Sequence, residues 1–373
     1  MRTPSIEYQI LLAASCIEPG GEQRDKLLGL LLNQFDQDQL VVMAVREGLA
    51  GLLYKNLKKA GGLGYLEQQH IGRLHSAYYL TVRFNLKLIC DLKEILQQLN
   101  KRNINVVLLQ GMHLLQQIYK DIGLRPLTDI DLWILPETRE TVGEVLTELD
   151  YQKDRLYPNI FKKAATTIDL NTHIFWADRI RSRQKLINAE QKALFQNCRT
   201  IDFEGQKAYG LDRIDQILYL SLHTIKHYAD RLIWLVDIKN LLRDWQASDW
   251  ELIATRCQEL GQEKAVDYIM YMLTQLFDVR EPITAPDSLT ANKLNRLEKM
   301  ILKNRLNGKP LPAWSPMLLF TSGKAFSKKA AFIFESLFPR PEILRQVFAN
   351  TPDLKIWQLY LKRALQLVGH VRP

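Results

Sequence analysis

The segment Leu127-Thr128-Asp129-Ile130-Asp131-Leu132-Trp133-Ile134-Leu135 limits the fold of this chain more than any other. Its side chains alternate, with Leu127, Asp129, Asp131 and Trp133 on one side and Thr128, Ile130, Leu132 and Ile134 on the other. That is the period of a strand with one face buried. Carboxylates inside a sheet are costly unless they are paired or metal-bound. Side chains at i and i+2 of a strand point the same way, so Asp129 and Asp131 can converge on one hard cation or on two close together. The competing readings are an exposed edge-strand face or partners of a helix N-cap.

The surrounding residues build a unit around this strand. NINVVLLQG (103–111) is a β-branched and Leu-rich run ending in Gly111, after which MHLLQQIYKDIG regains helical spacing; this predicts strand, tight turn, helix. Residues 137–149 return to helix. ATTIDLNTHIFW (165–176) reads as a further strand, with Thr167, Asp169, Asn171 and His173 on one face and Ile168, Leu170 and Ile174 on the other. Asp169 is thus the candidate third acid. A short strand is expected over Arg199–Phe203. Apolar residues at helical spacing fill 5–100, broken by Gly61-Gly62-Leu63-Gly64, and helices dominate from about residue 210. The expected architecture is α+β: a helical region 1–100, a small mixed-sheet core 101–207, and a helical region 208–373.

Composition narrows the setting. No run approaches the roughly 20 apolar residues of a membrane span, so no membrane-crossing segment is expected. Cys16, Cys90, Cys198 and Cys257 are far apart with no CxxC pair, which fits a reducing, cytoplasmic location. The net charge of +9 is uneven: residues 305–373 hold 11 Lys or Arg against 3 acids, or +8. Prolines at 310, 312, 316, 339, 341 and 352 divide this basic tail. The tail, with Lys324, Lys328 and Lys329, could meet phosphate, nucleic acid or an anionic surface, or be a solvated face. His223 and His227 have the i, i+4 spacing of a metal pair, but His-Thr-Ile-Lys-His lacks the Glu of HExxH. Asp237, three residues after Trp234, is expected to hydrogen-bond between helices. A glycine where a strand meets a helix N-terminus also lets backbone N–H groups approach an anion, so Gly111 is a candidate phosphate-holding turn.

LLQGMHLL, GLRPLTDIDLWI and IDLNTHIFW together resemble the ordered motifs of the polymerase-β-type nucleotidyltransferases. More narrowly, they are similar to a bacterial family of uncharacterised nucleotidyltransferases, with a Lys-Gly turn, an Arg-x-x-x-Asp-x-Asp segment and an acid followed by His-Trp. LHTIKHYADRLIWLVDIKNLL and SLFPRPEILRQ extend the resemblance past the core. It implies Mg²⁺, two ions with Mn²⁺ as an alternative, held by Asp129, Asp131 and Asp169. It implies an NTP such as ATP as donor, with Gln110, Gly111 and Met112 forming the phosphate turn. Arg125 would contact phosphate or organise the metal loop, and Lys226 or His227 would reach a phosphate from a helix lining the cleft. The chain departs from the pattern at Gln110 (usually Lys), at Met112 (Ser in the wider superfamily), and in a His four residues after Asp169 instead of two, which makes Asn171 a rival for that position. The implied reaction moves a nucleoside monophosphate to an acceptor hydroxyl on a small molecule, protein or RNA. The rivals are a non-catalytic protein of the same fold that binds nucleic acid or a protein partner, and a toxin-type enzyme modifying tRNA or a protein.

Overall fold

A computed structural model of the chain describes residues 4–176, 180–187, 189–279, 294–351 and 353–367, so Pro352, one of the prolines that divide the tail, lies outside the described residues. The amino-terminal part is helical: α1 (Ile6–Ala14), α2 (Gly21–Leu31), α3 (Gln37–Arg46), α4 (Ala50–Ala60) and the 34-residue α5 (Gln68–Lys101). Short polar side chains start these helices by accepting otherwise unpartnered N–H groups: Ser5 Oγ from Tyr8 at 3.4 Å and Asp36 from Gln39 at 2.9 Å. The Gly-rich stretch after α4 is a short 3-10 turn, Gly62–Tyr65.

The middle of the chain supplies β1 (Val107–Leu108), α6 (Gln110–Gln117), β2 (Ile130–Trp133), α7 (Arg139–Glu148), β3 (Gln152–Lys153), β4 (Ile160–Lys163), β5 (Thr166–Asn171), α8 (Gln191–Gln196), β6 (Arg199–Phe203) and β7 (Gln206–Gly210). Among the described residues these strands form one mixed sheet in the order β3-β4-β5-β2-β1-β7-β6. β2 runs parallel to β5 and β1 parallel to β7, while the remaining pairs are antiparallel. The expected strand over 103–111 shrinks to β1 for a local reason. The N–H of Ile104 is taken by the carbonyl of Leu99 at the end of α5, and Gln110 already opens α6. Strands β3, β4 and β7 carry no alternation that the sequence reveals; both residues of β3 are exposed and are held by pairing Gln152 with Lys162.

Helices follow: α9 (Arg213–Lys226), α10 (Leu232–Leu241), α11 (Ala247–Glu259), α12 (Glu263–Phe277), α13 (Arg296–Leu306), α14 (Ser315–Leu319), α15 (Phe326–Leu337), α16 (Pro341–Val347) and α17 (Ile356–Leu367). The chain is therefore α+β, a mixed sheet flanked by helices on both sequence sides. One buried apolar core runs from Tyr8 to Phe332, and a small second cluster of Leu344, Phe348 and Leu359 joins α16 to α17. Distant parts are also bound by charge. Glu47 after α3 and Arg305 of α13 are both fully buried, with Nη2 2.6 Å from Oε2, and that same oxygen accepts the N–H of Leu232 at 2.9 Å. Among the described residues no helix is long and apolar enough to cross a membrane.

Candidate functional site

The sheet register decides where the acids lie. β2 and β5 pair in parallel with Asp131 opposite Asp169 and Trp133 opposite Asn171. Asp169, and not its rival Asn171, is therefore the neighbour of Asp131. Parallel partners in register share a face about 4.8 Å apart. Ile130 and Leu132 of β2 and Ile168 and Leu170 of β5 are buried, as the alternation requires, while Asp129, Asp131 and Asp169 are partly exposed. Asn171 is buried and its amide donates to the backbone carbonyl of Asp169 at 3.4 Å. Burial pushes the Asp131 carboxyl well above the usual carboxylate range, and the negative charges of Asp129 and Asp169 add to this; Lys226 and Arg125 pull the other way. The acids thus form an electrostatically coupled group. Among the described residues no three His, Cys, Asp or Glu side chains already enclose a point for an ion. Asp131 and Asp169 share a face, Asp129 lies just before β2, and the three do not form a closed cage.

The strand-to-helix turn lies beside them, because the N–H of Leu109 donates to the carbonyl of Asp131 at 3.1 Å and α6 begins at the next residue. Gln110 bends back with a φ of 44°, and its Nε2 donates to the hydroxyl of Tyr219 at 3.1 Å. Met112 is buried in the core, so what it can present to an anion is its backbone N–H. Gly111 is small for a structural reason. A Cβ there would sit 2.3 Å from Leu127 Cδ2 and 2.8 Å from Arg125 Nη1, distances no side chain tolerates.

Arg125 is buried, and its guanidinium is engaged by Asp237: Nη2 donates to Oδ2 at 2.8 Å and Nε reaches both oxygens at 3.1 Å. The Tyr119 hydroxyl donates to the same carboxylate at 2.6 Å. Burial works against the Arg125 charge, but Asp237 outweighs it and raises the pKa. Of the two roles implied for Arg125, organiser of the acid loop is the one its contacts describe. The sequence predicts a hydrogen bond between helices for Asp237; its partners Tyr119 and Arg125 instead lie in the segment between α6 and β2. A further positioning residue carried no recognisable signal. Asn85 of α5 is fully buried; its Nδ2 donates to the carbonyls of Ile122 and Arg125 at 2.7 and 2.8 Å, and its Oδ1 accepts from the Leu127 N–H at 3.3 Å. It fixes the loop that delivers Asp129.

Helix α9 closes the acid side of the sheet. Asp212 caps it, accepting from Ile214 and Asp215 at 2.7 and 3.1 Å. Tyr219, His223 and Lys226 follow at helical spacing on one face. Lys226 Nζ lies 4.0 Å from the centre of the Trp176 ring, and its charge is felt by Asp131. Burial, then the nearby Asp131, holds the Tyr219 hydroxyl well above its ordinary pKa, so it keeps its proton. The rings of His223 and His227 are 4.5 Å apart and both meet Trp234. Burial, then the His227 and Lys226 charges, drives the His223 pKa well down, so it packs as a neutral ring. Arg183 lies fully buried between Trp176 and Phe320, 5.3 and 4.1 Å from their ring centres, and burial lowers its pKa to about 9. Tyr219 was within reach of sequence reasoning, since it lies seven residues before Lys226 on the same helical face. Trp176 and Arg183 meet only through the tertiary fold.

A family model described as an uncharacterised nucleotidyltransferase matches residues 33–278, which include the turn, the three acids, Arg125 with Asp237, and α9. No curated protein matches the chain, and no solved structure does.

Proposed function

The chain belongs to the uncharacterised nucleotidyltransferase family, and we propose that it transfers a nucleoside monophosphate from an NTP to an acceptor hydroxyl with the help of Mg²⁺. The observation that carries the reading is the register of β2 and β5, which sets Asp131 beside Asp169, with Asp129 in the loop that ends immediately before β2. Three hard oxygen donors on one face suit Mg²⁺ or Mn²⁺. The upward push on the Asp131 pKa comes first from burial and then from the charges of Asp129 and Asp169, and a divalent cation would offset both. Bound there by Asp129, Asp131 and Asp169, the ions would supply charge neutralisation and lower the pKa of the acceptor hydroxyl.

The remaining contributions come from the chain itself. Backbone N–H groups at the start of α6 hold the phosphates, and Lys226 adds positive charge from the opposite wall. Asp237, Arg125 and Asn85 keep the acid loop in place, so that the acceptor oxygen meets the α-phosphorus in line. The new bond joins that oxygen to phosphorus, the bond to pyrophosphate breaks, and the acceptor's proton leaves toward Asp169. No covalent enzyme intermediate is required.

A second reading, a non-catalytic protein of this fold that binds nucleic acid or a protein partner, is favoured by the turn. Gln110 stands where the family's Lys is expected and spends its amide on Tyr219, and Met112 is buried. Nucleotide binding titrated with and without Mg²⁺ separates the two, because a scaffold shows no metal-dependent affinity for NTP. Mass spectrometry of small-molecule, protein and RNA acceptors incubated with each NTP then identifies the acceptor. A cytoplasmic setting is part of the proposal.

A further inference from the structure

Every Phe and Trp that is exposed among the described residues lies after residue 325: Phe326, Phe334, Phe338 and Trp357. Phe326 is 85% exposed and Trp357 63%, and Leu361 and Leu365 are exposed as well. These residues form a pattern. Trp357, Leu361 and Leu365 recur along α17 at intervals of four, so the stripe that an amphipathic helix normally buries faces outward. The rings of Phe334 on α15 and Phe338 just after it lie 5.3 Å apart, tilted by 41°, and the Phe338 ring is 6.2 Å from that of Tyr360 on α17. The Arg363 guanidinium of α17 donates to the Ser336 carbonyl of α15 at 3.2 Å, so the two helices lie next to each other. The inner side of α17 is satisfied without this stripe, since Leu359 buries against Leu344 and Phe348.

The charge around this face is one-sided. Residues 305–373 carry 11 basic side chains against Glu335, Glu342 and Asp353. Glu335 is turned inward, accepting from the backbone N–H of Arg181 and Ser182 at 2.9 and 2.8 Å. Glu342 is paired with Arg340 at 3.1 Å. Lys324, one of the three lysines that the sequence groups into a patch, is held by the Gly261 carbonyl and by Glu263 at 3.5 Å and does not belong to the free charge. Lys328 and Lys355 are exposed, and Lys329 and Lys362 flank the apolar residues on α15 and α17. Lysines with long stems beside exposed Trp, Phe and Leu are the composition of a helix lying in a lipid interface, with the rings among the acyl chains and the ammonium groups at the headgroups. Single-stranded nucleic acid would use the charge and stack bases on the rings, but would leave the outward Leu361 and Leu365 without a partner.

We propose that α15 and α17 dock this chain onto an anionic lipid surface. The contact lies outside residues 33–278 and is independent of the transfer chemistry. The test is co-sedimentation of the full chain with vesicles of phosphatidylcholine mixed with phosphatidylglycerol, and with phosphatidylcholine alone. The wild-type protein should sediment with the anionic vesicles, release in high salt, and stay in solution with the neutral ones. A Phe334→Ser/Trp357→Ser/Leu361→Ser variant and a Lys328→Glu/Lys329→Glu variant should each partition roughly tenfold more weakly or worse. Their melting temperatures should stay near wild type, because the substituted side chains lie at the surface. The charge variant keeps the test decisive if the apolar one folds poorly. The proposal is overturned if the wild type ignores anionic vesicles, if it binds both kinds equally, or if both variants bind as it does. It is also overturned if sedimentation velocity shows self-association through this face, or if single-stranded RNA binds, with no lipid partition.

Discussion

Replacing Asp131 by Asn removes one carboxylate from a face where it stands in register with Asp169 and two residues from Asp129. At about 4.8 Å and an effective dielectric constant of about 20, one such pair repels by about 3 kcal/mol. Lys226 and Arg125 offset part of this in the wild type. At a pH where Asp131 is ionised, the expected net gain for metal-free Asp131→Asn is therefore about 1 to 3 kcal/mol, a rise in melting temperature on the order of 5 °C. The sign of the pH dependence follows. Folded protein holds the Asp131 proton more tightly than the unfolded chain does, so metal-free stability falls as pH rises from the ordinary carboxylate range through the raised pKa. The Asn variant should lack that decline. With Mg²⁺ the order changes: the wild type should gain stability and metal-dependent nucleotide binding, and the variant should gain neither. The assay is thermal melting across pH with and without Mg²⁺, alongside nucleotide titration. A variant that melts well below wild type without metal, or that responds to Mg²⁺ as wild type does, refutes the reasoning.

Removing one partner of the buried Arg125–Asp237 pair should cost about 3 to 5 kcal/mol, as Arg125→Met or as Asp237→Leu, whereas the double variant should recover much of the loss; urea unfolding of the four proteins measures the coupling, and additive losses would show that the pair is not a unit. Gly111→Ala should destabilise by about 1 to 3 kcal/mol because its Cβ meets Leu127 and Arg125 at once, and a melt indistinguishable from wild type would contradict the crowding. His113 is buried, accepts at Nδ1 from the Gln216 amide at 3.2 Å, and has its pKa lowered to about 4 by burial. The unfolded chain takes up that proton first, so up to about 3 kcal/mol of stability should be lost as pH falls from about 6.5 to about 4. In His113→Gln the loss between those two pH values should be smaller by that amount, and an equal loss in both proteins would show that His113 is not responsible.

Much of the candidate site was legible because it lies on or beside half-buried strands. The alternation of Ile130 and Leu132 with Asp129 and Asp131, and of Ile168 and Leu170 with Asp169, records which side packs inward. The choice between Asp169 and Asn171 was not legible, since a shift of two residues keeps the same face; the β2–β5 pairing shows that Asp169 is the one opposite Asp131. Gln152, Lys153 and the short β7 gave no strand signal, because their backbone pairing is imposed by neighbours and their side chains do not alternate in polarity. Asn85 read as one polar residue in a long helix. Its three bonds reach a loop about forty residues away, and nothing local announces them.

The buried Glu47–Arg305 pair has a consequence during synthesis. The partners are 258 residues apart, and at about 5 to 20 residues per second the ribosome needs roughly 13 to 50 s to deliver Arg305 after Glu47. Through that interval the nascent chain holds a carboxylate whose native surroundings exclude water, so the helices around it have reason to stay open. The amino-terminal helices should then be the first part made and among the last to become resistant to protease. A ribosome stalled before residue 305 would carry them in a digestible form.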